Sequence, residues 1–260
     1  MEVLVGWLGH FDAFLPVWAR IGGFVLSLPA LGRRLPVLVR TALSLLIAFL
    51  IFPVVPVAQP PADLLPFVLL IAGELLIGLA IGFVSGLIFT AAYVSGQLID
   101  FPAGFGMAAV FDPQGGPQVP ILAQFQYTVA VLIFLLVDAH HLLLRALVQS
   151  YQWAPIGAVT FAPLTLRAAV DGVAGAFSLG VQIAFPILAV LFVTDLAIGI
   201  IARAVPQANV FFVGFPLKIV LGIALLALLL PGYVGILAAA FGPQGGMLGP
   251  LVLFLRSLGR

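Results

Sequence analysis

The sequence predicts an all-α, membrane-associated protein built from long, kinked helical hairpins. Of its 260 residues, 63% are hydrophobic and only 7% are charged, whereas soluble domains carry about 25% charged residues. Its apolar runs reach or exceed the ~20 residues that cross a bilayer as a helix. Its 20 Pro and 28 Gly fall inside these runs as well as between them. Membrane helices tolerate this because neighbouring groups satisfy the freed backbone. The same composition excludes other classes. A net charge of +1 gives no electrostatic case for nucleic acid. With no cysteine, disulfides, thiolate metal sites and thiol catalysis are ruled out.

About six to seven apolar helical segments follow from the gaps between charges. The first is Phe14–Leu31, interrupted by Arg20. No basic stretch precedes it, so it reads as a retained membrane segment rather than a cleaved leader. A basic connector, Arg33 to Arg40, leads to the second, Thr41–Val57, closed by Pro53, Pro56, Pro60 and Pro61. The third runs from Leu64 to about Phe101, with Glu74 near its start. The fourth, Val119 to about Trp153, holds Asp138, His140, His141 and Arg145 in its middle. The fifth, Leu166 to about Val205, contains Asp171, Asp195, Arg203 and Pro186. The sixth is Val210–Leu230, with Lys218 inside, and the last is Tyr233–Leu255, interrupted by Gly242-Pro243-Gln244-Gly245-Gly246.

Three of these runs exceed a simple crossing. Pro66 to Asp100 as one helix would reach about 52 Å, against a hydrocarbon core of about 30 Å. Tilt absorbs part of that excess. Such helices must break, or project beyond the bilayer and pack on other apolar chains. A lone chain exposing that much apolar surface outside lipid would aggregate, so partners and lipid are both expected. Arg33, Arg34 and Arg40 in one short connector place it on the cytoplasmic side. Arg256 and Arg260 do the same for the C-terminal end, and the N-terminal end, with Glu2 and Asp12, would face outward.

The stretch from Phe105 to Pro120 separates two long runs without being polar. It carries Phe105, Gly106, Met107, Val110 and Phe111, then a tight Asp112-Pro113-Gln114-Gly115-Gly116 turn and Gln118. Ordinary connectors are wet and polar. An apolar loop between membrane-length helices must be buried in protein or line a cavity. Bulky, adaptable Phe and Met side chains beside a Gly-Gly reversal suit a constriction that gates by excluding water. A re-entrant turn that serves packing alone is the competing reading.

The few charges carry the remaining chemistry. Asp138, His141 and Arg145 are spaced to share one face of a regular helix. His140 would then point about 100° away from His141, so the adjacent pair could not chelate one metal. A proton relay and an ion network holding helices together are the two readings. The lack of a second carboxylate track favours the network. Glu74, Asp195, Arg203 and Lys218 are isolated charges on apolar helices. A transporter would use them as ion contacts, but pairing between helices or subunits is the simpler reading, because a lone charge in lipid is costly. Gly78, Gly82 and Gly86 form overlapping G-x-x-x-G steps that permit close helix approach. Phosphate-loop, nucleophile-elbow, zincin and dinucleotide motifs are absent from the sequence, and neither an enzyme, a cofactor nor a bound metal is expected.

Five blocks stand out in order along nearly the whole chain: Arg20-Ile-Gly-Gly-Phe24, Gly73-Glu-Leu-Leu-Ile-Gly78, the run Phe111 to Phe125, Asp138-Ala-His-His-Leu-Leu-Leu-Arg-Ala-Leu147 followed by Ser150-Tyr151 and Pro155-Ile-Gly157, and Ala204 to Lys218. Together they resemble the FliR family of type III export-gate subunits. The wording of Asp112-Pro-Gln-Gly-Gly116 and Gly214-Phe-Pro-Leu-Lys218 is closer to flagellar than to virulence-type members. The resemblance implies a single domain with a FliP-like part, 1–205, and a FliQ-like C-terminal hairpin, 206–260. It implies a plug loop, 106–122, that helps seal a pore shared with FliP-like and FliQ-like subunits, beside FlhB-like and FlhA-like components. Unfolded flagellar proteins would pass through that pore in the inner membrane of the basal body. Gly115-Gly116-Pro117 departs from the Ser-Gly-Ala type of turn expected after the Gln. An ion-coupled secondary transporter using Asp138, His141, Arg145 and Asp195 is the alternative, and a purely structural membrane scaffold is a third reading.

Overall fold

Long runs without charge become long helices here, and their ends fall where proline or a polar residue breaks the pattern. The computed structural model describes residues 11–29, 35–56, 61–107, 119–157, 163–205 and 210–242. The helices are α1 (Phe11–Ser27), α2 (Val37–Ile51), α3 (Leu64–Asp100), α4 (Ile121–Leu136), α5 (Ala139–Trp153), α6 (Pro163–Ala204) and α7 (Val210–Phe241), with short 3-10 turns at Phe52–Val54 and Phe105–Met107. Strands are absent among the described residues. Pro36 and Pro120, both extended, start α2 and α4, as expected for a ring that pre-sets the first helical residues. Pro53 turns the end of α2 into 3-10 geometry.

Two expectations about segment boundaries are corrected. The fourth apolar run is not one helix. It breaks at Val137-Asp138, where Asp138 takes a left-handed φ of 55°, the positive-φ non-glycine among the described residues. An aspartate tolerates that conformation better than most side chains. Conversely, the sixth and last segments do not part near Leu230. α7 continues through Pro231 for 32 residues, so the Gly242 region, not Pro231, ends it. A proline costs one backbone hydrogen bond, which a helix among neighbours survives.

Among the described residues, four helical stretches are long and apolar enough to cross a membrane: Val37–Val54, Leu64–Asp100, Arg167–Ala204 and Phe212–Phe241, with α4 and α5 together as a fifth if counted as one broken span. This is an all-α membrane protein. Of the two ways to accommodate the length of α3, breaking is not the one used. Its 37 residues run unbroken for about 55 Å.

The chain divides into two compact units, the first drawn from Met1–Leu87, Asp138–Val173 and Phe241–Arg260, the second from Ile88–Val137 and Ala174–Ala240. In the first unit α1 lies directly on α3. A Cβ at Gly23 would overlap the Leu75 carbonyl, one at Gly78 the Arg20 carbonyl, and one at Gly82 Ser27 and the Phe24 carbonyl. The glycine steps seen in the sequence therefore serve a contact within the chain. The helix faces around them are closed by Val17, Ile21, Phe24, Ile77 and Ile81, all buried. In the second unit Ile99, Ala103, Leu122, Ala184, Ile187 and Leu191 form a buried cluster. Phe89 meets Phe134 edge-on, ring centroids 5.2 Å apart.

Gly78→Leu drives a side chain into backbone that cannot yield, and overpacking of this kind costs about 1–3 kcal/mol or more. Gly73→Ala, where a Cβ has nothing within 4 Å, gains helix propensity at no steric cost. Thermal unfolding of the purified variants in detergent should separate them, with Gly78→Leu lowered and Gly73→Ala at or above the parent.

Candidate functional site

The base of the apolar loop is built by the second unit. α3 ends at Asp100, whose carboxylate Oδ1 accepts a hydrogen bond from the Leu122 backbone N–H, 3.1 Å away. Leu122 is in the first turn of α4, so Asp100 supplies the cap that Pro120 does not, and places negative charge at a helix N-terminus where the dipole favours it. This one contact ties together the two ends of the segment between α3 and α4. Close approach reinforces it, since a Cβ at Gly96 would overlap the backbone of Ala123. One turn further into the helices, Ser95 Oγ donates to Gln126 Oε1. Tyr233 Oη of α7 donates to the Gln126 carbonyl at 2.7 Å.

Beyond Asp100 the chain turns through Gly104, whose φ of 94° suits glycine. Phe105 then packs against the cluster of Ile99, Ala103, Leu122, Ala184, Ile187 and Leu191. Gly106 sits against Phe101 in the short 3-10 turn that includes Met107. The remaining candidate gate residues, Val110, Phe111, Asp112, Pro113, Gln114, Gly115, Gly116 and Gln118, lie outside the described residues.

The second constellation was not visible as such in the sequence. In the first unit Arg20, fully buried, donates through Nε to Glu74 Oε2 at 2.6 Å. Its other guanidinium nitrogens donate to Ser150 Oγ at 3.2 Å and to the Ala154 carbonyl at 2.9 Å. The Tyr151 ring lies under the guanidinium, 4.2 Å from its carbon, and Tyr151 Oη donates to the Val17 carbonyl at 3.1 Å. Glu74 Oε1 in turn accepts the Gly157 N–H at 3.2 Å. Glu74 is thus no isolated intramembrane charge. It is half of a buried, hydrogen-bonded pair that joins α1, α3, α5 and the turn after α5. Three of the sequence blocks that carry the family resemblance meet at this point: that of Arg20, that of Glu74, and the one that runs on from Asp138 through Ser150-Tyr151 to Gly157. The available signal was two opposite charges in otherwise apolar helices, but 54 residues separate them.

The other candidate charges go to separate places. Asp195 and Lys218 form an ion pair at 2.5 Å between α6 and α7, with Lys218 15% and Asp195 48% exposed. Arg203 is exposed in the last turn of α6, where a cation complements the helix dipole. Arg145 lines a shallow, mostly apolar cavity with Ile47, Leu50, Ile51 and Val148, and is not joined to Asp138. The break takes Asp138 off the helix that carries His140, His141 and Arg145, so the expected single face of Asp138, His141 and Arg145 does not form. The Asp138 carboxylate does not cap α5. It lies 3.5 Å from His141 Nδ1 and 4.0 Å from His140 Nε2, and the imidazole centroids are 4.1 Å apart. The donor atoms of all three lie within 4.8 Å of one another, which makes them the described residues best placed to share a divalent cation.

Removing one partner of the Arg20–Glu74 pair strands a buried charge, whereas replacing both by apolar residues removes the need for compensation. Glu74→Ala is expected to lose about 3–5 kcal/mol. The double variant Arg20→Met/Glu74→Leu should lose clearly less than the sum of the single changes. A double-mutant cycle by denaturant unfolding in detergent reads this, and additive losses would show that the two side chains are not coupled.

The pattern that defines the bacterial export proteins, family 1, matches residues 11–243 of this chain. The chain is 37% identical to the flagellar biosynthetic protein FliR of Bacillus subtilis (strain 168) over 83% of its own length and 85% of that protein. It is 34% identical to the protein of the same description from Pectobacterium carotovorum subsp. carotovorum, covering 88% and 87% respectively, and 30% identical to the one from Escherichia coli (strain K12), covering 86% and 87%. A match that takes in α1 to α7, the buried Arg20–Glu74 pair and the clamped base of the loop settles the assignment: the chain belongs to the bacterial export proteins, family 1, alongside the flagellar biosynthetic FliR proteins.

Proposed function

We propose that this chain is a non-enzymatic, structural and gating subunit of the flagellar type III export apparatus. In this reading it joins FliP-like and FliQ-like subunits around a pore in the bacterial inner membrane, next to FlhB-like and FlhA-like components. Unfolded flagellar proteins pass through it with energy supplied elsewhere. The family match carries the reading. Two features of the molecule support it. The long helices expose large apolar side chains along their lengths, among them Leu64, Leu69, Leu76 and Phe83 on α3 and Phe212, Val220 and Leu228 on α7, surfaces that want lipid or other helices. The loop after α3 is clamped at its base by Asp100 and Phe105 while its apolar sequence continues beyond, the arrangement a plug requires.

The residues proposed to seal are Phe105, Met107, Val110 and Phe111, with Asp112-Pro113-Gln114-Gly115-Gly116 and Gln118 shaping the turn. The charges at Glu74, Asp195 and Lys218 hold helices, in this proposal, rather than move protons. The proposed FliP-like part, 1–205, and FliQ-like hairpin, 206–260, describe where partner subunits would find equivalents in this chain.

Affinity purification of the tagged chain from its native host in mild detergent tests the assembly. Recovery in one large complex with small FliP-like and FliQ-like membrane proteins is expected, whereas a monodisperse monomer competent in ion-coupled uptake would establish the transporter reading instead. For the plug, removal of residues 108–118 should raise ion leakage through the membrane while the assembled complex persists. Asp100→Ala, which loses a cap of about 0.5–2 kcal/mol, should give a smaller leak in the same assay. Leakage and secretion both unchanged by the deletion would dispose of the plug.

A further inference from the structure

An arginine with a buried, unmet Nε at the edge of an apolar groove points to a ligand. α1, α2 and α3 enclose, within the first unit, a groove of about 370 Å³ lined by Trp18, Gly22, Leu26, Ile71 and Leu75 together with Arg40. That volume is in the range of small-molecule sites. Nearly all of the lining is carbon. Its hydroxyls are already engaged: Ser44 Oγ donates to the Thr41 carbonyl and accepts the Trp18 indole N–H, while Thr41 Oγ1 donates to the Val37 carbonyl. Arg40 is different. Its Nε is buried and has no hydrogen-bond partner among the described residues, and no carboxylate there pairs with its guanidinium. A cation with a dry, unmet donor is costly.

We infer that this groove binds one anionic phospholipid, its phosphate on Arg40 and an acyl chain laid along Trp18, Gly22, Leu26, Ile71 and Leu75. The ligand must be negative at one end and apolar along the rest, which excludes a free anion such as phosphate: it would leave the apolar length of the groove unfilled. Arg40 sits in the first turn of Val37–Val54, a stretch able to cross a membrane. The exposed Val37, Leu38 and Val39 beside it would meet acyl tails, and the long Arg40 side chain reaches from that end of the stretch toward the headgroup phosphates. Arg forms paired, charge-assisted hydrogen bonds with phosphate oxygens. A full positive charge with no carboxylate beside it among the described residues favours an anionic over a zwitterionic headgroup, and basic pockets between membrane helices are sites for such lipids. The site is separate from the loop base and stands whether or not the loop seals a pore.

The test uses the tagged full chain, in the complex with which it purifies, stripped of lipid in detergent. It is then titrated with micelles containing phosphatidylglycerol or phosphatidylethanolamine, and bound lipid is counted by native mass spectrometry. Phosphatidylglycerol should be retained at one per chain and preferred over phosphatidylethanolamine. Arg40→Gln should weaken it about tenfold, the effect of losing a charge-assisted bond, and Arg40→Lys should retain part of the binding. Gly22→Leu, at a position where a Cβ meets nothing within 4 Å, should displace the lipid by filling the groove while leaving the mass of the complex unchanged. Equal retention of the two lipids, or retention untouched by both Arg40→Gln and Gly22→Leu, would overturn the inference. So would a Leu26→Cys variant that cross-links to another protein subunit in the assembled complex.

Discussion

The first unit depends on one interaction, the buried ion pair between Arg20 and Glu74. Charges removed from water are stable only when every donor and acceptor finds a partner, and this requirement is demanding. Arg20 needs Glu74, Ser150 and the Ala154 carbonyl, and Glu74 needs the Gly157 N–H. Those atoms come from three helices and a turn. The pair therefore fixes the register of α1 against α3 and the height of α5 beside both. It also explains the glycines. A guanidinium reaches a carboxylate on the next helix at 2.6 Å with both groups dry only if the two backbones approach closely, and Gly23, Gly78 and Gly82 allow that approach. Gly157, with φ of 80°, turns its N–H toward Glu74 in a conformation that most side chains disfavour.

Hydrophobicity alone would not give such definition. α3 and α7 are apolar on all sides, so no amphipathic stripe orients them. In lipid, burial of apolar surface gives helices little reason to choose one face over another, and close packing with polar contacts takes over that role. The second unit follows the same logic with weaker devices: a carboxylate capping a neighbouring helix, a serine–glutamine bond, a tyrosine reaching a carbonyl and one partly exposed Lys218–Asp195 pair. A pair as open to its surroundings as Asp195, 48% exposed, contributes little by itself. Its value is that it leaves Lys218 with a partner.

How much of this could be read from the sequence follows from the range of each interaction. The long helices were legible because a charge-free run is a local signal, and α3 and α6 begin and end within a few residues of the expected limits. The break at Asp138 was not, because the surrounding residues favour helix and only a single left-handed φ interrupts it. The continuity of α7 through Pro231 was misjudged for the opposite reason: a strong local signal was overridden by context. At the candidate sites, the apolar loop stood out by composition, yet its clamp, Asp100 on Leu122, did not. Arg20 and Glu74 could be recognised as costly charges but not as partners, since nothing in the spacing of residues 54 apart encodes contact.

These two kinds of polar contact suit different tasks. A gate needs a frame that does not move and an element that does. The Arg20–Glu74 network is fully buried and multiply bonded, so opening it would expose several unmet groups together, which makes it poor at yielding and good as a frame. The base of the loop is held by one carboxylate–amide bond and by Phe105 resting against an aliphatic cluster. Breaking it releases a single donor and one aromatic face, a far smaller cost. In the proposed gate, the balance of these contacts places the motion beyond Asp100, with α3 and α4 remaining in place beneath it.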